Sequence, residues 1–243
     1  MRALILCLFL TSPALADPAL NGDTPPDQQA GGHMAYTGTE AGFQDWLTAF
    51  RPRALAAGLA PSTLDALEGL GFDPAVVDKD RNQSEFTKPI WTYLDSAASD
   101  DRIAAGEKAL ARHRALFDRL EAAYGVDREV VAAIWGLESA YGTFRGDIPT
   151  LQALASLAYD GRRGAFFEAQ LIEALKIVQD RHIPAERMRG SWAGAMGHTQ
   201  FMPSSFWTFA VDFDGDGRRD IWGDDLTDAL ASAAAYLSKS GWT

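Results

Sequence analysis

Polar and apolar positions follow a helical period along most of this chain. In "GFQDWLTAF", Phe43, Trp46, Leu47 and Phe50 recur three and four residues apart and share one face. Ile103, Leu110, Phe117 and Tyr124 make a second apolar face. The same reading predicts helices near 151–159, 165–180 and 226–239, while strand-type alternation is scarce, so the class is all-α. The stretch "DREVVAAIWGLESAYG" predicts a further helix, with Asp127 as N-cap and Gly142 closing its end. One residue breaks its apolar stripe. Stepping ~100° per residue, Val130, Val131, Ile134 and Leu137 fill one arc, and Glu138 falls between Ile134 and Val131. A carboxylate there is desolvated, paired or useful. Burial and the negative end of the helix would both raise its pKa, leaving an acid able to donate a proton near neutral pH. The plainer alternative is a glutamate swung to the rim of the stripe or bonded to a nearby arginine.

Composition narrows the setting. Residues 1–16, "MRALILCLFLTSPALA", carry an arginine, a short apolar run and an "ALA" end, the pattern of a cleavable secretory signal peptide. Cys7, the only cysteine, lies inside the apolar run and not after a lipoprotein-type box, so no lipid anchor is expected. Without those residues 21 basic stand against 33 acidic side chains, a net charge of −12. Such acidity argues against nucleic acid and anionic membrane surfaces as partners. No second apolar run is long enough for a transmembrane segment. Without residues 1–16 no cysteine remains, so neither a disulfide nor a reducing compartment is needed, and the cleavable signal peptide points to the periplasm. Residues 17–39 are polar, with Pro and Gly, and read as a flexible linker ahead of a domain over 40–243.

The candidate chemistry lies after residue 130. In "SWAGAMGHTQFMPSSF", Gly194 and Gly197 leave a loop backbone bare beside Ser191, His198 and Gln200, for close approach of a ligand or for tight turning. Ser191 and Gln200 are suited to sugar hydroxyls or an acetamide. Phe201 and Met202 offer a flat apolar surface, or else belong to the core. In "DFDGDGRRDIWGDDLTD", Asp212, Asp214 and Asp216 at alternate positions, followed by Gly217, match the opening of an EF-hand calcium loop. The backbone carbonyl of Arg218 falls at the next ligand position and Asp220, through water, at the one after. Gly223 occupies the place of the closing Glu, so closure falls to Asp224, Asp225 or Asp228. Arg162 and Arg163, in "YDGRRGAFF", suit a carboxylate clamp or a charged helix entry, and Tyr236 reads as core. The four histidines show no zinc spacing, no G-x-S-x-G elbow is present, and phosphate-type glycine loops are absent.

Together "AAIWGLESAYGTFRGDIPTLQALASLAYDGRR", "GSWAGAMGHTQFMPSSFWTFAVDFDGDGRRDIWG" and the upstream "FTKPIW" resemble the membrane-bound lytic transglycosylase B family of peptidoglycan-cleaving enzymes. The resemblance covers residues 40–243. It implies a lysozyme-like helical core with a small helical N-terminal lobe, an EF-hand-like loop holding structural Ca2+, and glycan strands of peptidoglycan as partner, bound by a monomer. It implies Glu138 as the single catalytic acid and base, with Ser191, Gln200, Phe201, Met202, Arg162, Arg163, Tyr236 and Tyr93 (or Trp91 beside it) binding substrate. Asp212, Asp214, Asp216, Arg218 and Asp228 become the metal ligands, Asp228 because the family's loop is longer than an ordinary EF-hand. His198 stands where some relatives have tyrosine. Relatives continue past Gly241-Trp242, so the resemblance implies that the C-terminal part of the catalytic domain is cut short here.

Overall fold

The structure is a computed structural model describing residues 38–82 and 90–242, with the side chain of Tyr93 outside the description. The expected signal peptide and nearly all of the linker also lie outside the described residues. Ten α-helices are present among the described residues: α1 Glu40–Ala56, α2 Pro74–Arg81, α3 Ile90–Ala97, α4 Asp100–Arg112, α5 Arg114–Tyr124, α6 Arg128–Ser139, α7 Thr150–Asp160, α8 Gly164–Gln179, α9 Pro203–Phe209 and α10 Thr227–Lys239. The sheet content is one antiparallel pair, β1 Ile148–Pro149 with β2 Arg189–Gly190.

Two apolar cores organise these helices. The first gathers α1, α2, α7, α8 and α9 around Phe43, Phe50, Leu154, Phe167, Leu171 and Phe206, all fully enclosed. The face expected on α1 is there: Phe43, Leu47 and Phe50 are buried and Trp46 stacks on Phe50 with ring centroids 5.3 Å apart. Thr39 caps that helix by accepting the Gly42 N–H, and Asp73 does the same for α2 with the Ala75 and Val76 amides. The second core gathers α4, α5, α6 and α10 around Phe117, Leu120, Val131, Trp135 and Leu230. Tyr236 of α10 packs against both.

The face expected from Ile103 to Tyr124 belongs to two helices, not one. The chain breaks at His113 (φ −110°, ψ 24°), and α5 restarts on the Leu116 and Phe117 amides bonded back to the His113 carbonyl. Phe117 is fully buried, but Ile103 is exposed. A seven-residue apolar spacing is met equally by two short helices joined at a break, because each needs only its own half of the stripe.

Candidate active site

Helix α6 closes at Ala140, two residues earlier than the glycine signal suggested. Ala140 (φ 48°) and Tyr141 (φ 57°) already take the left-handed conformation, and Gly142 (φ 82°) follows them. The Ala140 N–H bonds to the Gly136 carbonyl and the Tyr141 N–H to that of Trp135, a left-handed end built without glycine at its turning residue. Two non-glycine residues in this conformation cost of order 1–3 kcal/mol each and persist only where their surroundings hold them. Tyr141 supplies the hold. Its ring lies over Gly136, where an added Cβ would stand 2.5 Å from the ring, and its hydroxyl donates to the Arg102 carbonyl at 3.0 Å. Arg102 in turn donates to the Gly136 carbonyl at 2.6 Å, docking α4 on α6. Asp127 takes the N-cap position of α6, but its side chain makes no capping bond; Arg128 beside it pairs with Asp118 and Glu121.

The stripe of α6 divides. Val131, Ala132 and Trp135 enter the second core, whereas Val130, Ala133, Ile134, Leu137 and Glu138 face a cavity of about 730 Å³. The far wall comes from Phe166, the strand of loop from Thr199 to Met202, Ser204, Ser205, and Tyr236 and Leu237 of α10. Glu138 therefore stands in an apolar wall that bounds open volume. Its Oε2 is fully enclosed and has no hydrogen-bond partner in the protein. Burial raises its pKa from 4.5 to about 8.

The loop 190–202 is built by its own small residues. The Ser191 N–H bonds the Ala195 carbonyl at 2.8 Å and the Ser191 Oγ accepts the Ala195 N–H at 3.1 Å. Met196 and Phe201 exchange backbone bonds of 2.9 and 3.1 Å, which fold residues 197–200 into a tight turn. Gly194 and Gly197 serve that turning: an added Cβ would strike Leu154 in one case and the Ile221 carbonyl in the other, both away from the cavity. Gln200 (φ 52°) spends both Nε2 protons on the Arg145 and Gly197 carbonyls, at 3.0 and 2.8 Å. Its Oε1 is left buried without a partner, as is the Thr199 hydroxyl. Both residues line the cavity, and Thr199 was not singled out from the sequence.

The expected binding residues thus separate. Gln200, Phe201, Met202 and Tyr236 line the cavity with Glu138, and Tyr236 packs edge-on against Phe209 with centroids 4.5 Å apart. Ser191 is buried within its own loop and is not part of the lining. Arg162 makes a bidentate pair with Asp80, both contacts at 2.6 Å, which joins α2 to the start of α8. Arg163 lies over the rings of Phe166 and Phe167, 4.5 and 5.2 Å from their centroids. Neither arginine lines the cavity. Tyr93 lies on α3 with its side chain outside the described residues, and Trp91 is largely exposed.

The acidic loop is compact. Carboxylate oxygens of Asp212, Asp214, Asp216 and Asp228 all lie within 4.8 Å of one another. Asp212 accepts the Gly215, Asp216 and Gly217 amides, and the last two glycines of the turn take φ of 79° and 90°. Asp228, from the first turn of α10, is only 4% exposed and accepts the Phe213 and Asp220 amides at 2.8 and 3.0 Å. A buried carboxylate among three others, all hard oxygen donors, fits a calcium-type cation. Asp220 turns its carboxylate onto the Trp222 and Gly223 amides, Asp225 bonds the Thr227 amide, and Asp224 is fully exposed near Arg145. Of the three carboxylates considered for closing the loop, only Asp228 joins the cluster.

The family model of the transglycosylase SLT domain matches residues 42–243. Membrane-bound lytic murein transglycosylase B of Escherichia coli (strain K12) is 35% identical over 151 residues, 62% of this chain and 41% of that protein. Among solved structures, SltB3 from Pseudomonas aeruginosa in complex with NAG-NAM-pentapeptide superposes with a TM-score of 0.79 at 52% identity, covering 82% of this chain and 54% of that one. The Escherichia coli lytic transglycosylase Slt35 in complex with calcium superposes with a TM-score of 0.72 at 29% identity, covering 84% and 64%. The chain therefore spans 41% to 64% of the length of these relatives.

Proposed function

The chain belongs to the transglycosylase SLT domain family, and from that premise we propose that it is a peptidoglycan lytic transglycosylase with Glu138 as its single acid and base. The observation that carries this reading is the carboxyl group of Glu138 in the wall of the cavity: one oxygen is enclosed and unpartnered, and burial raises its pKa to about 8. At neutral pH it holds the proton that the glycosidic oxygen between N-acetylmuramic acid and N-acetylglucosamine needs as its bond to C1 breaks. The carboxylate left behind then takes the proton of the muramoyl O6 hydroxyl while O6 bonds to C1. The product is a 1,6-anhydromuramoyl end, and no water is consumed.

A glycosidase of the two-carboxylate type needs its acids about 5–9.5 Å apart. The other acid bordering this cavity, Glu129, is nine residues earlier on α6, about 13 Å of helical rise away. The substrate's own acetamide takes the place of a second acid by stabilising the positive centre. Gln200 supports such a ligand: with both Nε2 protons committed, its Oε1 can only accept, which suits an acetamide N–H. Phe201, Met202 and Tyr236 offer sugar rings an apolar face. Ser191 and Arg162 contribute by holding loop and helix in place, Arg163 by covering Phe166, and Tyr93 remains a proposed contact on α3.

Calcium, held by Asp212, Asp214, Asp216, the Arg218 carbonyl and Asp228, would relieve the repulsion within the cluster and fix the start of α10 in an EF-hand-like loop. Among the described residues no helix is long and apolar enough to cross a membrane. We place the enzyme in the periplasm, as a monomer acting on glycan strands. Digestion of purified sacculi followed by mass spectrometry tests the reading. Fragments one water lighter than the hydrolysis product support it, whereas hydrated reducing ends alone would make this a lysozyme-type hydrolase.

A further inference from the structure

His198 is 4% exposed and bonded at both ring nitrogens. The Trp135 indole, a donor only, lies 3.2 Å from Nδ1, so Nδ1 accepts. Nε2 then carries the ring proton and donates to the Gly223 carbonyl at 2.8 Å. The Arg145 guanidinium, also a donor only, brings Nη1 to 3.2 Å from Nε2, but that nitrogen's protons turn to the Trp222 and Gly223 carbonyls. The backbone repeats this two-sided attachment. The His198 N–H reaches the Ile221 carbonyl at 2.9 Å, and the His198 carbonyl accepts the Ser139 hydroxyl at 2.7 Å. The ring also rests on Gly142, where an added Cβ would stand 2.7 Å from Cε1. Trp135 and Ser139 are three residues before and one after Glu138, and Gly142 ends the left-handed turn that follows.

We propose that His198 is a positioning residue, a clamp between the end of the acidic loop and the last turn of α6 that sets where the Glu138 carboxyl sits in the cavity wall. The proposal rests on the acid–base reading of Glu138 and adds a residue to it. Two strained residues, Ala140 and Tyr141, follow directly on the last turn of α6, and an end that relaxes by about 1 Å can cost on the order of 100-fold in rate. The clamp needs a neutral ring. Burial, first, and Arg145 lower the His198 pKa, against the Gly223 bond, Asp220 and Asp224, which raise it. The other titratable groups bordering the Glu138 cavity, among the described residues, are Glu129 and Tyr236.

Two variants separate clamping from mere packing. His198→Asn offers an amide oxygen near the Nδ1 position and can still receive the Trp135 indole proton. His198→Gln reaches toward Gly223 and leaves the indole without its acceptor. In His198→Gln, kcat is expected to fall roughly 10- to 100-fold with KM little changed, and His198→Asn should recover most of that loss. An NMR titration of the Glu138 carboxyl carbon reads the same effect without turnover. It should give a value near 8 in the native protein and a clearly lower one in His198→Gln, as solvent reaches the loosened carboxyl. Thermal melting, and the indole N–H resonance of Trp135, establish that each variant is folded. An unshifted Glu138 titration in folded His198→Gln, or a rate loss that only follows the folded fraction, overturns the clamp. A native protein with the shifted titration but no fragment release overturns the acid–base reading and leaves the clamp standing.

Discussion

Carboxylates meet opposite environments at the two ends of the His198 link. Glu138 is alone in an apolar wall with one oxygen unbonded, and burial lifts its pKa to about 8. The carboxylates of the acidic loop crowd together, yet nearly every one is wrapped in backbone N–H groups. Burial pushes Asp212 upward, but its bonds from Gly217, Gly215 and Asp216, together with Asp214, outweigh that and bring it below the usual range. The difference lies in local backbone. A helix interior has its N–H groups already spent and offers none to a side chain, whereas a glycine-rich turn presents several at once. One site consequently retains a proton, and at the other Asp212 retains its charge for a cation, while burial raises the pKa of the enclosed Asp228 against its bonds from Phe213 and Asp220.

The comparison breaks first at Glu138. Glu138→Gln keeps the shape and removes the proton chemistry, so fragment release should fall roughly 10²- to 10⁴-fold with the melting temperature preserved or raised. Near-normal release of anhydro fragments by this variant would end the assignment.

Linkage gives the next largest effect. Because the folded pKa is above the unfolded value of 4.5, the folded state holds the extra proton between about pH 4.5 and 8, and stability falls as pH rises through that window. Allowing for partial solvent access, the loss is roughly 2–4 kcal/mol. Activity should fall over the upper part of the same range as the acid form is lost. Denaturant melts of native protein and Glu138→Gln at pH 5 and pH 9 measure this, the variant showing the flatter dependence. Parallel pH dependences would mean that Glu138 is not desolvated.

The acidic loop should respond oppositely, to a cation. Calcium at a hundredfold excess over its dissociation constant should stabilise the fold by about 2.7 kcal/mol. Magnesium, with its stricter octahedral geometry, should do less. Asp214→Ala should remove most of that shift, while Asp224→Ala, at an exposed position outside the cluster, should leave it within about 0.5 kcal/mol. Equal melting temperatures in chelator and in calcium would reduce the loop to a solvated acidic turn.

What was legible in the sequence follows from range. Helices α7, α8 and α10 were found within a residue or two, and α1 by its buried face, because their apolar periods are local and uninterrupted. Glu138 was conspicuous for the same reason. The break at His113 carried no glycine or proline to announce it. The early end of α6 depends on Tyr141 docking against Gly136 and Arg102, which no local signal records. Arg162 looked like a free clamp because its partner, Asp80, stands 82 residues away. Ser191 had the right chemistry for a sugar, and only the fold shows its hydroxyl turned onto the Ala195 amide. Spacing alone leaves Asp224, Asp225 and Asp228 open as closing ligand; the resemblance points to Asp228, and it is Asp228 whose carboxylate joins the cluster.

The two cores also have an order of assembly. Helices α1 and α2 reach their partners α7 and α8 only across the entire α3–α6 stretch, whereas α7 and α8 are joined by a few residues and pack on each other at once. Closing the long excursion loses chain entropy before any burial repays it, so it is expected to come late, on a hairpin of α7 and α8 that is already formed. Stopped-flow refolding distinguishes the sequence of events: Leu154→Ala should mainly slow folding, and Leu47→Ala should mainly speed unfolding. Such a chain passes through a stage in which the apolar face of α1 has nothing to cover it, and its yield on refolding should depend on concentration for that reason alone.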